Sequence, residues 1–79
     1  MIARVYVTLK SGVLDPAGKA VERSLHSLGY SEVGEVRLGK YLELRLEESD
    51  AARAKTRAEE MCKKLLANTV VENFRVEIA

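Results

Sequence analysis

The stretch with the most chemical promise is Gly34-Glu35-Val36-Arg37-Leu38-Gly39-Lys40-Tyr41, which has the G-x-x-x-x-G-K spacing of a phosphate-binding loop. Such a loop must follow a strand and open a helix, so that free backbone amides point at phosphate. Its next residue must be Ser or Thr to hold magnesium. Here that residue is Tyr41, and the segment itself alternates like a strand. Nucleotide binding is therefore not the reading these residues support. The remaining reactive types are single. Cys62 is the only cysteine and His26 the only histidine, too few for an internal disulfide or a zinc site. His26 falls about 100° round a helix from Leu25, outside the apolar stripe, with no acid or nucleophile to complete a triad. Cys62 sits on an apolar stripe and reads as a small core residue, since a reactive thiol needs an exposed, electropositive setting. Glu59-Glu60 and Lys63-Lys64 stand at i, i+4 spacing and read as a salt-bridged exposed face. Asp15 reads as a helix cap. No catalytic, cofactor-binding or metal-ligating set is expected.

Five segments would carry these residues. Arg4 to Lys10 alternates, with Val5, Val7 and Leu9 on one face and Arg4, Tyr6, Thr8 and Lys10 on the other, the period of a half-buried strand. Ser11-Gly12 breaks it. Asp15-Pro16 opens a helix, the carboxylate accepting from first-turn amides and the proline fitting the first helical position. Ala17, Val21, Leu25 and Leu28 form its apolar stripe, and Gly29 suits the left-handed position past its end, with Tyr30 packing back on Leu25. Between Glu35 and Glu47 the period returns to two, with Val36, Leu38, Leu42, Leu44 and Leu46 on one parity. A hairpin turning through Gly39, Lys40 and Tyr41 preserves that face, and so does one strand with a bulge at Gly39. Ser49 or Asp50 can cap a second helix whose stripe is Ala54, Ala58, Met61, Cys62 and Leu65, with Asn68 as a left-handed terminator. Val70, Phe74, Val76 and Ile78 share one parity of a last strand.

The order β-α-β(β)-α-β predicts an α+β fold, a two-layer sandwich. Its sheet has three or four mainly antiparallel strands, with both helices on one face. The other face would carry Arg4, Tyr6, Thr8, Arg37, Tyr41, Glu43 and Arg45. Tyr and Arg are enriched at protein interfaces, so this face is the candidate surface for a partner or a second copy.

Composition narrows the partners. The chain has 79 residues, with 13 Lys and Arg against 12 Asp and Glu, a net charge of +1. These charges are dispersed, without the basic block that draws in nucleic acid. No run approaches the roughly 20 apolar residues of a membrane span, and Met1 to Leu9 is too short and alternating for a signal peptide. A cytoplasmic protein without nucleic-acid or membrane partners is expected. A domain this small buries only about 60% of its unfolded surface, and chains of this size without staples often oligomerise.

Three stretches together carry a family resemblance. They are Val5-Tyr6-Val7-Thr8-Leu9-Lys10 with Val13-Leu14-Asp15-Pro16 and Gly18; Val36-Arg37-Leu38-Gly39-Lys40-Tyr41-Leu42-Glu43-Leu44; and Cys62-Lys63-Lys64-Leu65-Leu66-Ala67-Asn68-Thr69-Val70-Val71-Glu72. In this order and spacing they resemble PurS, the small subunit of bacterial and archaeal phosphoribosylformylglycinamidine (FGAM) synthase. The likeness runs from about Val5 to Val76, so residues 1–79 read as a single PurS-like domain. The resemblance implies a subunit of an ATP- and glutamine-dependent ligase complex of purine biosynthesis, with no catalytic centre of its own. It would join a glutaminase subunit to a large synthetase subunit and support ammonia transfer. It would also form a homodimer or tetramer, and it would bind no cofactor itself, leaving ATP, magnesium and glutamine to the partner subunits. Tyr6, Arg37, Gly39, Lys40 and Tyr41 are the candidate partner or self-association surface. The competing reading is a small ferredoxin-like regulatory domain that binds a metabolite at a dimer interface.

Overall fold

The computed structural model describes all 79 residues. Its elements are β1 (Ile2–Leu9), α1 (Pro16–Ser27), β2 (Gly39–Arg45), α2 (Ala51–Met61) and β3 (Glu72–Ile78). β1 is the central strand of a three-stranded sheet ordered β2-β1-β3, antiparallel to both neighbours. The alternation in β1 gives it one buried face. Ala3, Val5 and Val7 are buried on one side against α2, with Ala58, Cys62, Ala67 and Val76 completing the core. Leu42, Leu44, Phe74 and Ile78 pack around that cluster. Removing a residue such as Val5 from water contributes about 1.5–3 kcal/mol.

The α2 helix lies close to the sheet because its buried positions are small. Ala54, Ala58 and Cys62, spaced four apart, are each fully buried. Asp50 caps it, accepting from the Ala52 and Arg53 amides at 2.9 and 3.4 Å. Beyond Met61 the chain makes a wider π turn over Cys62–Leu66, closed by the Ala67 amide donating to the Cys62 carbonyl at 2.9 Å. That extra residue per turn rotates the face. Leu66 and Ala67 pack inward, and Leu65, expected in the stripe, is 83% exposed. The same rotation undoes the expected Glu–Lys pairing, and Glu60 pairs instead with Arg57 at 3.3 Å. Asn68 is not left-handed, since no residue other than glycine has positive φ. Its side chain accepts from the Val70 amide at 3.1 Å, Val70 is exposed, and the last strand starts later than expected, at Glu72.

The caps of α1 are those the sequence predicts. Asp15 accepts from the Gly18 amide at 2.8 Å. Gly29 at φ +99° ends the helix, with the Tyr30 amide donating to the Leu25 carbonyl at 3.0 Å, although the Tyr30 ring stays half exposed. His26 is exposed, yet its Nε2 donates to the Val33 carbonyl at 2.6 Å. The position of α1 differs from the expected one. Only α2 packs on the sheet, and α1 makes no more than marginal contact with any strand. The two-layer sandwich is therefore half-filled within one chain.

The segment between Leu28 and Leu38 explains the displacement. Neither the hairpin nor the bulged strand forms. β2 begins only at Gly39, and Val36 and Leu38 stay outside the sheet. The Arg37 guanidinium donates to the carbonyls of Leu9 and Lys10 at the end of β1 and pairs with Glu35 at 3.0 Å. The Leu38 amide donates to the second oxygen of Asp15 at 2.9 Å. Gly18 is buried where a β-carbon would overlap the Val36 carbonyl oxygen, and a β-carbon at Gly39 would overlap the Val7 carbonyl oxygen. Gly39 is thus required for close strand approach, not for a turn or bulge.

Two outcomes check this account. Gly39→Ala should lower stability by about 1–3 kcal/mol in urea unfolding, the range for a forced overlap. Gly34→Ala, whose β-carbon meets open space, should change little. The amides of Gly18 and Leu38 hold the Asp15 carboxyl below its ordinary 3.8. Its contribution is present above that value and is lost as pH falls through the lower, folded-state value. The melting-temperature loss caused by Asp15→Ala should therefore be full at pH 6 and shrink in strong acid.

Candidate interaction face

The face of the sheet away from α2 is built by strand parity. Arg4, Tyr6 and Thr8 of β1 lie opposite Glu43, Tyr41 and Gly39 of β2 and opposite Glu77, Arg75 and Asn73 of β3. A cation, an aromatic ring and a hydroxyl thus run down the centre, each between two cross-strand neighbours. Arg4 stands between two glutamates. The rings of Tyr6 and Tyr41 have centroids 5.1 Å apart and tilt by 42°, within the range of favourable aromatic pairs. The Arg75 guanidinium lies 4.3 Å over the Tyr6 ring and pairs with Glu77, and the Tyr6 hydroxyl donates to Glu77 at 3.5 Å. Partial burial, followed by the nearby Glu43 charge, pushes the Tyr41 hydroxyl pKa up, so the ring is neutral at ordinary pH. The result is a flat surface of preassembled side chains, with Tyr41 still half exposed.

Of the five candidate residues, Tyr6, Gly39 and Tyr41 lie on this face. Lys40 does not: it shares the parity of Leu42 and Leu44 and stands opposite the buried Val7. Arg37 does not either, because it precedes β2 and its guanidinium is spent on the carbonyls that end β1. Asn73, Arg75 and Glu77 were missed. Their parity, opposite to Phe74, Val76 and Ile78, was the signal that could have found them.

A cleft of about 330 Å3 is lined by Leu14, Asp15, Lys19, Val36 and Arg37 among others, but its cations are already engaged. Lys19 lies 3.8 Å from Glu22, and Arg37 is held as described. The buried Arg37 Nε faces no acceptor in the chain. Burial, then the Glu59 charge, raises the Cys62 thiol pKa, which keeps it protonated. No three His, Cys, Asp or Glu side chains converge to hold a metal, and no helix is long and apolar enough to cross a membrane.

Fold and face together define a small α+β domain whose chemistry lies on surfaces. Comparison with known proteins gives the family. Residues 2–79 match the family model PurS, phosphoribosylformylglycinamidine (FGAM) synthase, and the chain belongs to that family. It is 56% identical over 75 residues to a Synechocystis FGAM synthase subunit PurS, covering 95% of this chain and 75% of that one. It is 55% identical over 75 residues to its Bacillus subtilis counterpart, covering 95% and 88%. Among solved structures, PurLQS from Thermotoga maritima contains a chain that superimposes with a TM-score of 0.83 at 32% identity, covering 98% of this chain and 96% of that one.

The face makes a measurable prediction. A double-mutant cycle between Tyr6→Leu and Arg75→Gln should return a coupling of about 0.5–1 kcal/mol in urea unfolding, the value of an exposed cation–π pair.

Proposed function

We propose that this chain is the bridging subunit of a glutamine-dependent FGAM synthase in purine biosynthesis. It joins the glutaminase subunit to the large synthetase subunit and supports ammonia transfer between them. It performs no bond chemistry itself and holds no cofactor; ATP, magnesium and glutamine are used by the subunits it joins. It works in the cytoplasm as a homo-oligomer, without nucleic-acid or membrane partners. The observation that carries the reading is family membership over residues 2–79, together with the likeness to a chain of PurLQS.

The geometry fits such a role. Asp15 and Asp50 are used as helix caps, Arg37 as a tie to the end of β1, and Arg57 and Arg75 in ion pairs with Glu60 and Glu77. The outer sheet face presents Tyr6 and Tyr41 inside a charged lattice, the composition that protein interfaces favour. Arg37, Gly39 and Lys40 belong to the same matched stretch. In this reading Gly39 contributes by bringing Tyr41 beside Tyr6, and Arg37 by fixing where β2 begins. Lys40 is exposed at the start of β2, where it can meet a partner on the other side of the sheet.

Co-purification with the two larger subunits tests the assignment. Tyr6→Asp and Tyr41→Asp should retain the folded circular-dichroism spectrum and reduce recovery of the complex or the size of the homo-oligomer. Unchanged complex yield and unchanged elution of both variants would remove the outer face from the account.

A further inference from the structure

Joining two proteins needs two contact surfaces that do not overlap. The outer sheet face is one. The outward side of α2 lies behind it, across the core, because α2 packs on the inner face of the sheet. Charge sets this helix apart from the rest of the chain. Residues 51–66 carry five cations against two acids, Glu59 and Glu60, whereas the other residues carry eight cations against ten acids. Arg53 pairs with Glu48 and Arg57 with Glu60. Lys55, Lys63 and Lys64 are exposed, and none of them is in an ion pair.

An apolar anchor stands among these cations. Leu65 is 83% exposed, more than any other large apolar side chain of the protein. With Arg57, Glu60, Met61 and Lys64 it lines a shallow recess of about 250 Å3. The π turn puts it there. Three residues beyond the buried Cys62, Leu65 would continue the inward stripe of a regular helix, but the wider turn sends Leu66 inward in its place. Such turns inside helices are rare and frequent at functional sites. The exposed leucine forfeits burial in the single chain, and contact with an apolar surface of another protein recovers it. Nucleic acid would call for an unbroken row of cations, whereas an apolar centre with two glutamates beside it suits a protein.

We propose that Leu65, flanked by Arg57 and Lys64, is the centre of a second docking surface, which meets an acidic-rimmed apolar depression on one of the two subunits the chain joins. Charge complementarity steers that encounter and the leucine anchors it. The inference rests on the bridging role proposed above and deepens it: the chain lies between its partners, one against the outer sheet face and the other against α2.

Binding of the full chain to each purified larger subunit tests the surface. Leu65→Ser and Lys64→Glu alter exposed residues, so their circular-dichroism spectra should stay folded and the elution of the homo-oligomer should not move. Each should raise the dissociation constant for one subunit about 10-fold or more, as when a central contact is lost, and leave the other subunit's unchanged. The effect of Lys64→Glu should shrink at high salt, while that of Leu65→Ser persists. Lys64→Arg should bind as the unaltered chain does. Lys55→Glu, the same change of charge more than two turns away, should matter little. Unchanged binding of both variants to both subunits overturns the surface and leaves the bridging role standing. So does an equal loss for Lys55→Glu, or a shift in the homo-oligomer's elution, which would make a second copy the occupant. Binding of a single-stranded oligonucleotide that Lys64→Glu abolishes, with both subunits retained, would assign the patch to nucleic acid and overturn it too. An unaltered chain that binds neither subunit overturns the bridging role, and this surface with it.

Discussion

The Arg37 guanidinium, lodged against the carbonyls that end β1, is the tie on which the shape of this chain depends. A loose connection from α1 to β2 would let the helix fall back on the sheet. Arg37 prevents this together with Asp15, whose two oxygens hold the Gly18 and Leu38 amides. Two glycines let the backbones close up around these bonds. Each bond is modest by itself, about 0.5–1.5 kcal/mol for a neutral pair and somewhat more for a charged one. Their effect is geometric: they set where α1 leaves the sheet and where β2 enters it. The register that follows brings Tyr41 opposite Tyr6 and leaves the inner side of β2 uncovered.

Much of this was legible in the residues. The alternation in β1, the Asp15-Pro16 start, the Gly29 stop and the small-residue stripe Ala54, Ala58 and Cys62 each state a local rule that the structure obeys. Tertiary ties overrode the rest. Val36 and Leu38 have the parity of strand residues, but Arg37 between them binds β1 carbonyls and takes the segment out of the sheet. Leu65 keeps a perfect helical period and still faces outward, because one π turn shifts the period by a residue and nothing in that stretch announces it. That Tyr6 and Tyr41 share the outer face followed from parity, whereas their pairing and the placement of Arg75 over Tyr6 required knowing that β2 and β3 flank β1. The displacement of α1 was not legible, since its stripe is that of any helix that packs on a sheet.

The two faces of the sheet then divide the work. The outer face is polar and aromatic, with Arg75 held between Glu77 and the Tyr6 ring and Arg4 standing between Glu43 and Glu77 in the register. The inner face is apolar and only half covered by α2. Such a chain can influence a reaction by fixing the positions of others, and the family to which it belongs is named for an enzyme.

The most direct measurement compares FGAM synthesis by the glutaminase and synthetase subunits with and without this chain, once with glutamine and once with free ammonia as the nitrogen source. The account predicts that omitting the chain abolishes the glutamine-dependent rate and spares the ammonia-dependent one. A glutamine-dependent rate that is the same with or without the chain would contradict it.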